Sequence, residues 1–185
     1  MKKLSILIFM ALLPLMASAQ SYVDGIYYYL NPETRLAEVT NWFNVGDYEG
    51  IEHVTIPATF TLDGTTFTVR WIGSTHGAFN GCQTLKSVTL PNTIKSIDNG
   101  AFMDCPNLTS FTIPGSVTSI GNSAFSASGL KSITIPSSVT TIELRAFKNC
   151  TDLTSVTIGS GVKTIGESSF SGCTALTSVT IPQNV

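Results

Sequence analysis

The chain has 185 residues, enough for one domain, with 10 basic and 12 acidic residues and a formal charge of −2. Charged residues make up 12%, about half the usual share. Ser and Thr fill the gap, a composition that suits pleated β surfaces and leaves no polycation for nucleic acid and no basic face for anionic lipid.

Residues 1–19 read as a secretory signal peptide. Lys2 and Lys3 give the positive start, Leu4 to Met16 is an apolar run broken by Ser5 and Pro14, and Ala17-Ser18-Ala19 supplies the small residues that signal peptidase reads. The expected cut lies between Ala19 and Gln20. The apolar run is too short to span a bilayer comfortably, and no later segment is long or apolar enough. The sequence therefore predicts an exported chain, secreted or at the cell surface, with no membrane span after cleavage. Losing Lys2 and Lys3 leaves 8 basic against 12 acidic residues, a charge of −4.

Residues 20–50 read as an N-terminal β cap. Gly25–Leu30 and Arg35–Thr40 alternate as strands around Asn31-Pro32-Glu33-Thr34, a good turn sequence. Tyr27, Tyr28, Tyr29, Trp42, Phe43 and Tyr48 concentrate aromatic rings here. They can form a glycan- or peptide-binding platform or cover the end of the structure that follows, and the covering role is the preferred reading.

From residue 51 to 185 the chain repeats itself. Ile51–Pro57, IEHVTIP, is a degenerate first copy. In residues 58–71, Phe60-Thr61-Leu62 and Phe67-Thr68-Val69 flank Asp63-Gly64, which predicts a hairpin with a tight turn. This insertion puts Ile72 in the place of Ile97 two residues late. Leu85–Pro91, Leu108–Pro114, Leu130–Pro136, Leu153–Gly159 and Leu176–Pro182 then read LKSVTLP, LTSFTIP, LKSITIP, LTSVTIG and LTSVTIP, with Leu spacings of 23, 22, 23 and 23. A second apolar pair follows each: Ile94/Ile97, Val117/Ile120, Val139/Ile142 and Val162/Ile165. Ala78-Phe79, Ala101-Phe102, Ala124-Phe125, Ala146-Phe147 and Ser169-Phe170 form a third motif.

One copy holds too few apolar side chains to offset its own backbone entropy, so the copies must stack. In LxxVxI the Val and Ile lie on one face of a strand, and Leu turns in before them. Stacked strands would pair as a parallel sheet about 4.8 Å apart, closed by a Pro that donates no hydrogen bond. The Ala-Phe motif belongs in a turn or short helical piece on the back, with Phe in the core.

The full pattern L-x-x-V-x-I-P-x-x-V-x-x-I-G-x-x-A-F-x-x-C resembles the BspA-like, Treponema-type leucine-rich repeat family of bacterial surface and secreted proteins, over roughly residues 51 to 182. The resemblance implies a right-handed, β-rich leucine-rich-repeat solenoid with a parallel strand sheet on one face, and a hairpin near the N-terminus as a cap element. It implies adhesion or host-factor binding, such as attachment to extracellular-matrix proteins, and brings no catalytic residues or cofactor with it.

The outward positions of the strand sheet are the candidate ligand face: Lys86, Ser87, Thr89, Thr109, Ser110, Thr112, Lys131, Ser132, Thr134, Thr154, Ser155, Thr157, Ser178 and Thr180, with Thr177 beside them. They form two hydroxyl ladders, suited either to recognising an extracellular protein or glycan or simply to solvated β packing. Without Trp, Tyr or Arg anchors, binding there should be weak or dependent on avidity. The alternative is a structural spacer with no ligand of its own. The chain stops just after the strand expected at Leu176–Ile181, whose open edge would allow self-association.

Cys82, Cys105, Cys150 and Cys173 each follow a repeat Phe by three residues, and Ser128 interrupts the column. Neighbouring coils bring Cys82 and Cys105, and Cys150 and Cys173, within disulfide reach, although parallel side chains suit the bond poorly. The family resemblance implies unpaired, buried thiols. Four ligands on four coils cannot converge on a metal. His53 and His76 have no evident partner set, and the chain lacks GxSxG, HExxH and a phosphate-binding glycine loop, so no enzyme is expected.

Overall fold

The structure is a computed structural model that describes residues 19–40, 48, 50–73 and 77–185. The signal-peptide stretch through residue 18, Trp42, Phe43 and His76 lie outside them. The described residues form a β-rich leucine-rich-repeat solenoid. Leu85, Leu108, Leu130 and Leu153 are wholly buried, as are Ile94/Ile97, Val117/Ile120 and Val139/Ile142. Phe79, Phe102, Phe125, Phe147 and Phe170 stack face to face with ring centroids 5.3–5.4 Å apart. Tyr48 continues this column, its ring 4.7 Å from that of Phe79.

The longest sheet runs through the second apolar pair, not through LxxVxI. It joins β6 (Thr65–Ile72), β8 (Ser96–Ile97), β9 (Ser119–Ile120), β11 (Thr141–Ile142) and β13 (Thr164–Ile165) in parallel. Ile72, Ile97, Ile120, Ile142 and Ile165 fall in register. The hairpin of β5 (Thr59–Leu62) and β6 thus absorbs the late arrival of Ile72. Its turn sets Asp63 and Gly64 at φ 48° and 75°, the left-handed pair that a two-residue hairpin requires.

At its N-terminal end the same sheet adds β3 (Leu36–Thr40) parallel to β6, then β2 (Ile26–Asn31) and β1 (Ala19–Val23), both antiparallel. The two strands predicted on either side of Asn31–Thr34 are present, and Asn31 Oδ1 accepts the Thr34 N–H at 2.9 Å. The sequence pattern did not foretell β1.

LxxVxI strands pair in two separate pieces: β4 (His53–Thr55) with β7 (Ser87–Thr89), and β10 (Ser132–Ile135) with β12 (Ser155–Ile158). The pattern predicts a paired strand over Leu108–Pro114 between them, and the structure has none there. Lys131 N–H still donates to the Thr109 carbonyl at 3.1 Å. Phe111 stands where the other copies carry Val or Ile, and its ring packs 4.9 Å from both Phe102 and Phe125. This larger ring is the inward residue of the interrupted copy. The expected strand at Leu176–Ile181 is also unpaired, with Val179 and Ile181 exposed.

The Ala-Phe segments are turns, and no helix occurs among the described residues. Their backbone groups bond from coil to coil: Phe79 N–H to Ala101 O, Phe102 to Ala124, Phe125 to Ala146 and Phe147 to Ser169, at 2.7–2.8 Å. Two left-handed residues bracket each Phe, as with Ser123 and Ala127 around Phe125, and they stop a helix from propagating. The 22-residue copy closes at Gly129, where a Cβ would collide with the Pro106 carbonyl oxygen. Only glycine admits so close a backbone approach.

Candidate functional site

Alternation along each strand fixes which side chains face water. Val88, Ile133, Ile135, Val156 and Ile158 are buried, which turns their neighbours outward. Lys86, Thr89, Thr109, Ser110, Thr112, Lys131, Ser132, Thr134, Thr154, Ser155, Thr157, Ser178 and Thr180 are exposed and Ser87 is half-buried. Ser132 pairs with Ser155 and Thr134 with Thr157 in register, so the hydroxyls within each of these two rungs stand about 4.8 Å apart. The interruption at 109–113 separates them from Thr55 and Thr89 on β4 and β7. The hydroxyl ladders are therefore hydrogen-bonded sheet in two stretches, not one. The Thr154 hydroxyl is already committed, donating to the Lys131 carbonyl at 3.0 Å.

At the β4–β7 end the face is charged. Lys86 Nζ lies 2.8 Å from Glu52 Oε2, and the Lys86 hydrogen bond and charge hold the Glu52 carboxyl below the usual carboxylate range. His53 Nδ1 sits 2.8 Å from Ser87 Oγ, and its Nε2 is 3.9 Å from Glu52 Oε2. His53 thus has partners that its place in the sequence did not make evident. The signal was present: laying IEHVTIP over LKSVTLP puts Glu52 beside Lys86 and His53 beside Ser87. The three groups have the order of an acid–base–nucleophile relay. However, the ring is exposed on an open strand and the carboxylate is tied to Lys86, so water competes at every step. The cluster is better suited to polar contact than to turnover.

Cys82, Cys105, Cys150 and Cys173 are free and buried. Cys105, Cys150 and Cys173 donate to the carbonyls of Phe79, Phe125 and Phe147 in the preceding coil at 3.0–3.1 Å. Cys82 donates to the Tyr48 carbonyl at 3.3 Å, so Tyr48 replaces the repeat Phe in backbone as well as ring. Burial pushes the Cys105 thiol up to about 12. The hydrogen bond with Cys150, together with burial, raises Cys173. These thiols act as core donors. No group of three His, Cys, Asp or Glu suited to a metal occurs among the described residues.

The aromatic residues before the repeats divide. Tyr28 and Tyr48 are in the core, and the Tyr48 hydroxyl donates to the Thr40 carbonyl at 2.6 Å. Tyr27 is half-buried and Tyr29 exposed. Tyr22, which no sequence motif singles out, is exposed, its ring tilted against that of Tyr27 with centroids 4.6 Å apart.

A family model described as BspA type Leucine rich repeat region matches residues 73–185 in 6 copies. Among solved structures, a leucine-rich repeat protein from Bacteroides ovatus is similar at 28% identity and TM-score 0.68, over 89% of this chain and 48% of that one. This chain thus spans about half the length of that protein. A leucine-rich repeat protein from Bacteroides capillosus matches at 26% identity and TM-score 0.60, over 75% of this chain and 97% of that one. The T. pallidum leucine-rich repeat protein, at 22% identity and TM-score 0.59 over 85% and 91% of the two chains, shares the fold. No curated protein matches the chain.

Proposed function

The chain belongs to the BspA-type leucine-rich repeat family, and from that premise we propose that it is an exported binding module whose LxxVxI strand face recognises an extracellular protein or glycan. The observation that carries this reading is the outward row of Ser, Thr and Lys, thirteen of its fourteen residues exposed, on a backbone made rigid by the buried columns behind it. A rigid face of short hydroxyls loses little side-chain entropy when it meets a partner. The Glu52–Lys86 and His53–Ser87 pairs add charge at one end, which favours orientation over affinity. Lacking aromatic or Arg anchors, the face should bind one partner molecule weakly, with Kd above about 1 μM, and gain strongly from multivalent display.

The test is surface plasmon resonance of the mature chain against immobilised extracellular-matrix proteins and glycans. Replacing Ser110, Thr112, Ser132 and Thr134 together with Glu should abolish any saturable binding. Binding that survives the fourfold change would remove the strand face from consideration.

A further inference from the structure

We propose that the outer face of the β1–β2–β3–β6 sheet is a second site, separate from the strand face, which stacks an uncharged, extended β-linked oligosaccharide on Tyr29 and Trp71. In Tyr27-Tyr28-Tyr29 the strand alternation sends Tyr28 into the core and Tyr29 outward, while Tyr27 is half-buried with its ring edge-on to Tyr48. Tyr29 is 47% exposed and Tyr22 55%, values far from those of rings that serve only to cover a core. Pairing places Tyr29 opposite Glu38 and Glu38 opposite Trp71, so the three share one face.

The register shift between Ala37 and Glu38 leaves both Arg70 and Trp71 half-buried between the inward Val69 and Ile72. A bulge that inserts one residue re-aims a side chain in this way. Further along the same sheet the residues paired in line with Trp71 are Ser96, which is buried, and then Ser119, Thr141 and Thr164, none of them aromatic. The rings are therefore a local feature of one end and not a property of the sheet.

The arrangement favours a sugar chain. Tyr29 and Trp71 are two strands apart, roughly 10 Å, about the length of a disaccharide unit in an extended β-linked chain. Alternate sugars can lay their C–H faces on the two rings while the sugar between them presents hydroxyls to Glu38, a carboxylate acceptor. Gln20, opposite Tyr29 on β1, adds an amide at the edge. Tyr22 and Tyr27, with ring centroids 4.6 Å apart, extend the platform along β2. Rings interleaved with hydrogen-bonding groups suit a ligand whose faces are apolar and whose rim is polar.

The experiment uses the full chain without its leader, titrated with cellohexaose, xylohexaose and mannohexaose while tryptophan emission and heat are recorded. Saturable binding of at least one hexasaccharide is expected, with Tyr29→Ala and Trp71→Ala each weakening it at least about tenfold, or 1.4 kcal/mol. The melting temperature of Tyr29→Ala should stay within a degree or two of the parent, as suits an exposed position. The fourfold Glu variant of the strand face should bind the sugar unchanged, so this site can fail while the strand-face reading stands, and the reverse. Absence of binding by all three sugars at about 10 mM, ten times a Kd of ~1 mM, would overturn the proposal. Binding unaffected by Tyr29→Ala would do the same.

Discussion

The two longitudinal sheets of this solenoid are built from the same repeat at the same spacing, yet one is continuous and the other is broken. The sheet through Ile72, Ile97, Ile120, Ile142 and Ile165 keeps an identical inward residue at each rung and runs on from β1, β2 and β3 without a gap. The LxxVxI sheet keeps its spacing but changes the volume of one inward residue, from Val or Ile to Phe111, and the ladder opens at that coil. A parallel ladder between coils needs every rung at one height above the core. One oversized ring defeats that, although it fills space well and costs no burial. The site follows the same rule, since the hydroxyls are in register only where the rungs beneath them are.

The largest test of the comparison is the core that both sheets share. Phe125→Ala removes a wholly buried ring stacked on both sides and should cost about 3–5 kcal/mol in urea unfolding followed by circular dichroism. Phe170, half-buried and stacked on one face in the described structure, should cost less than half as much. Equal losses would show that the coils do not support one another from both sides.

Phe111→Val addresses the gap itself. Removing the ring's packing against Phe102 and Phe125 should be partly offset by restored backbone bonds, for a net loss of about 1–2 kcal/mol. Hydrogen exchange should slow at the amides of Ser110 to Ile113. Unchanged exchange there would move the cause of the break to the shortened copy at Gly129.

The smallest effect belongs to the continuous sheet. Burial pushes the Asp98 carboxyl, just past β8, up to about 6 from 3.8, with Glu38 and Glu143 adding to the shift against a hydrogen bond from Ser96. The folded pKa lies above the unfolded one, so the ionised group destabilises at pH 7, and that penalty fades as pH falls through about 6. Asp98→Asn should gain about 1 kcal/mol at pH 7 once partial exposure is discounted. The gain should vanish near pH 4, the unfolded value. A gain that does not vary with pH would assign it to packing.

The stack is legible in the repeat pattern alone. Leu, Val, Ile and Phe at fixed intervals leave no other way to bury the apolar columns, and the Asp63-Gly64 hairpin and the outward hydroxyls follow from period-two alternation. The His53–Ser87 neighbourhood is legible too, by laying one copy over the next. Packing in three dimensions settles the rest: which sheet is continuous, where the Ala-Phe turns send their hydrogen bonds, that Tyr48 takes the place of a repeat Phe, and which rings of β1 and β2 face water. Those outcomes depend on volume and register between segments far apart in the chain. Periodicity specifies which residues point inward, while only the packed coils specify whether they fit at the same height.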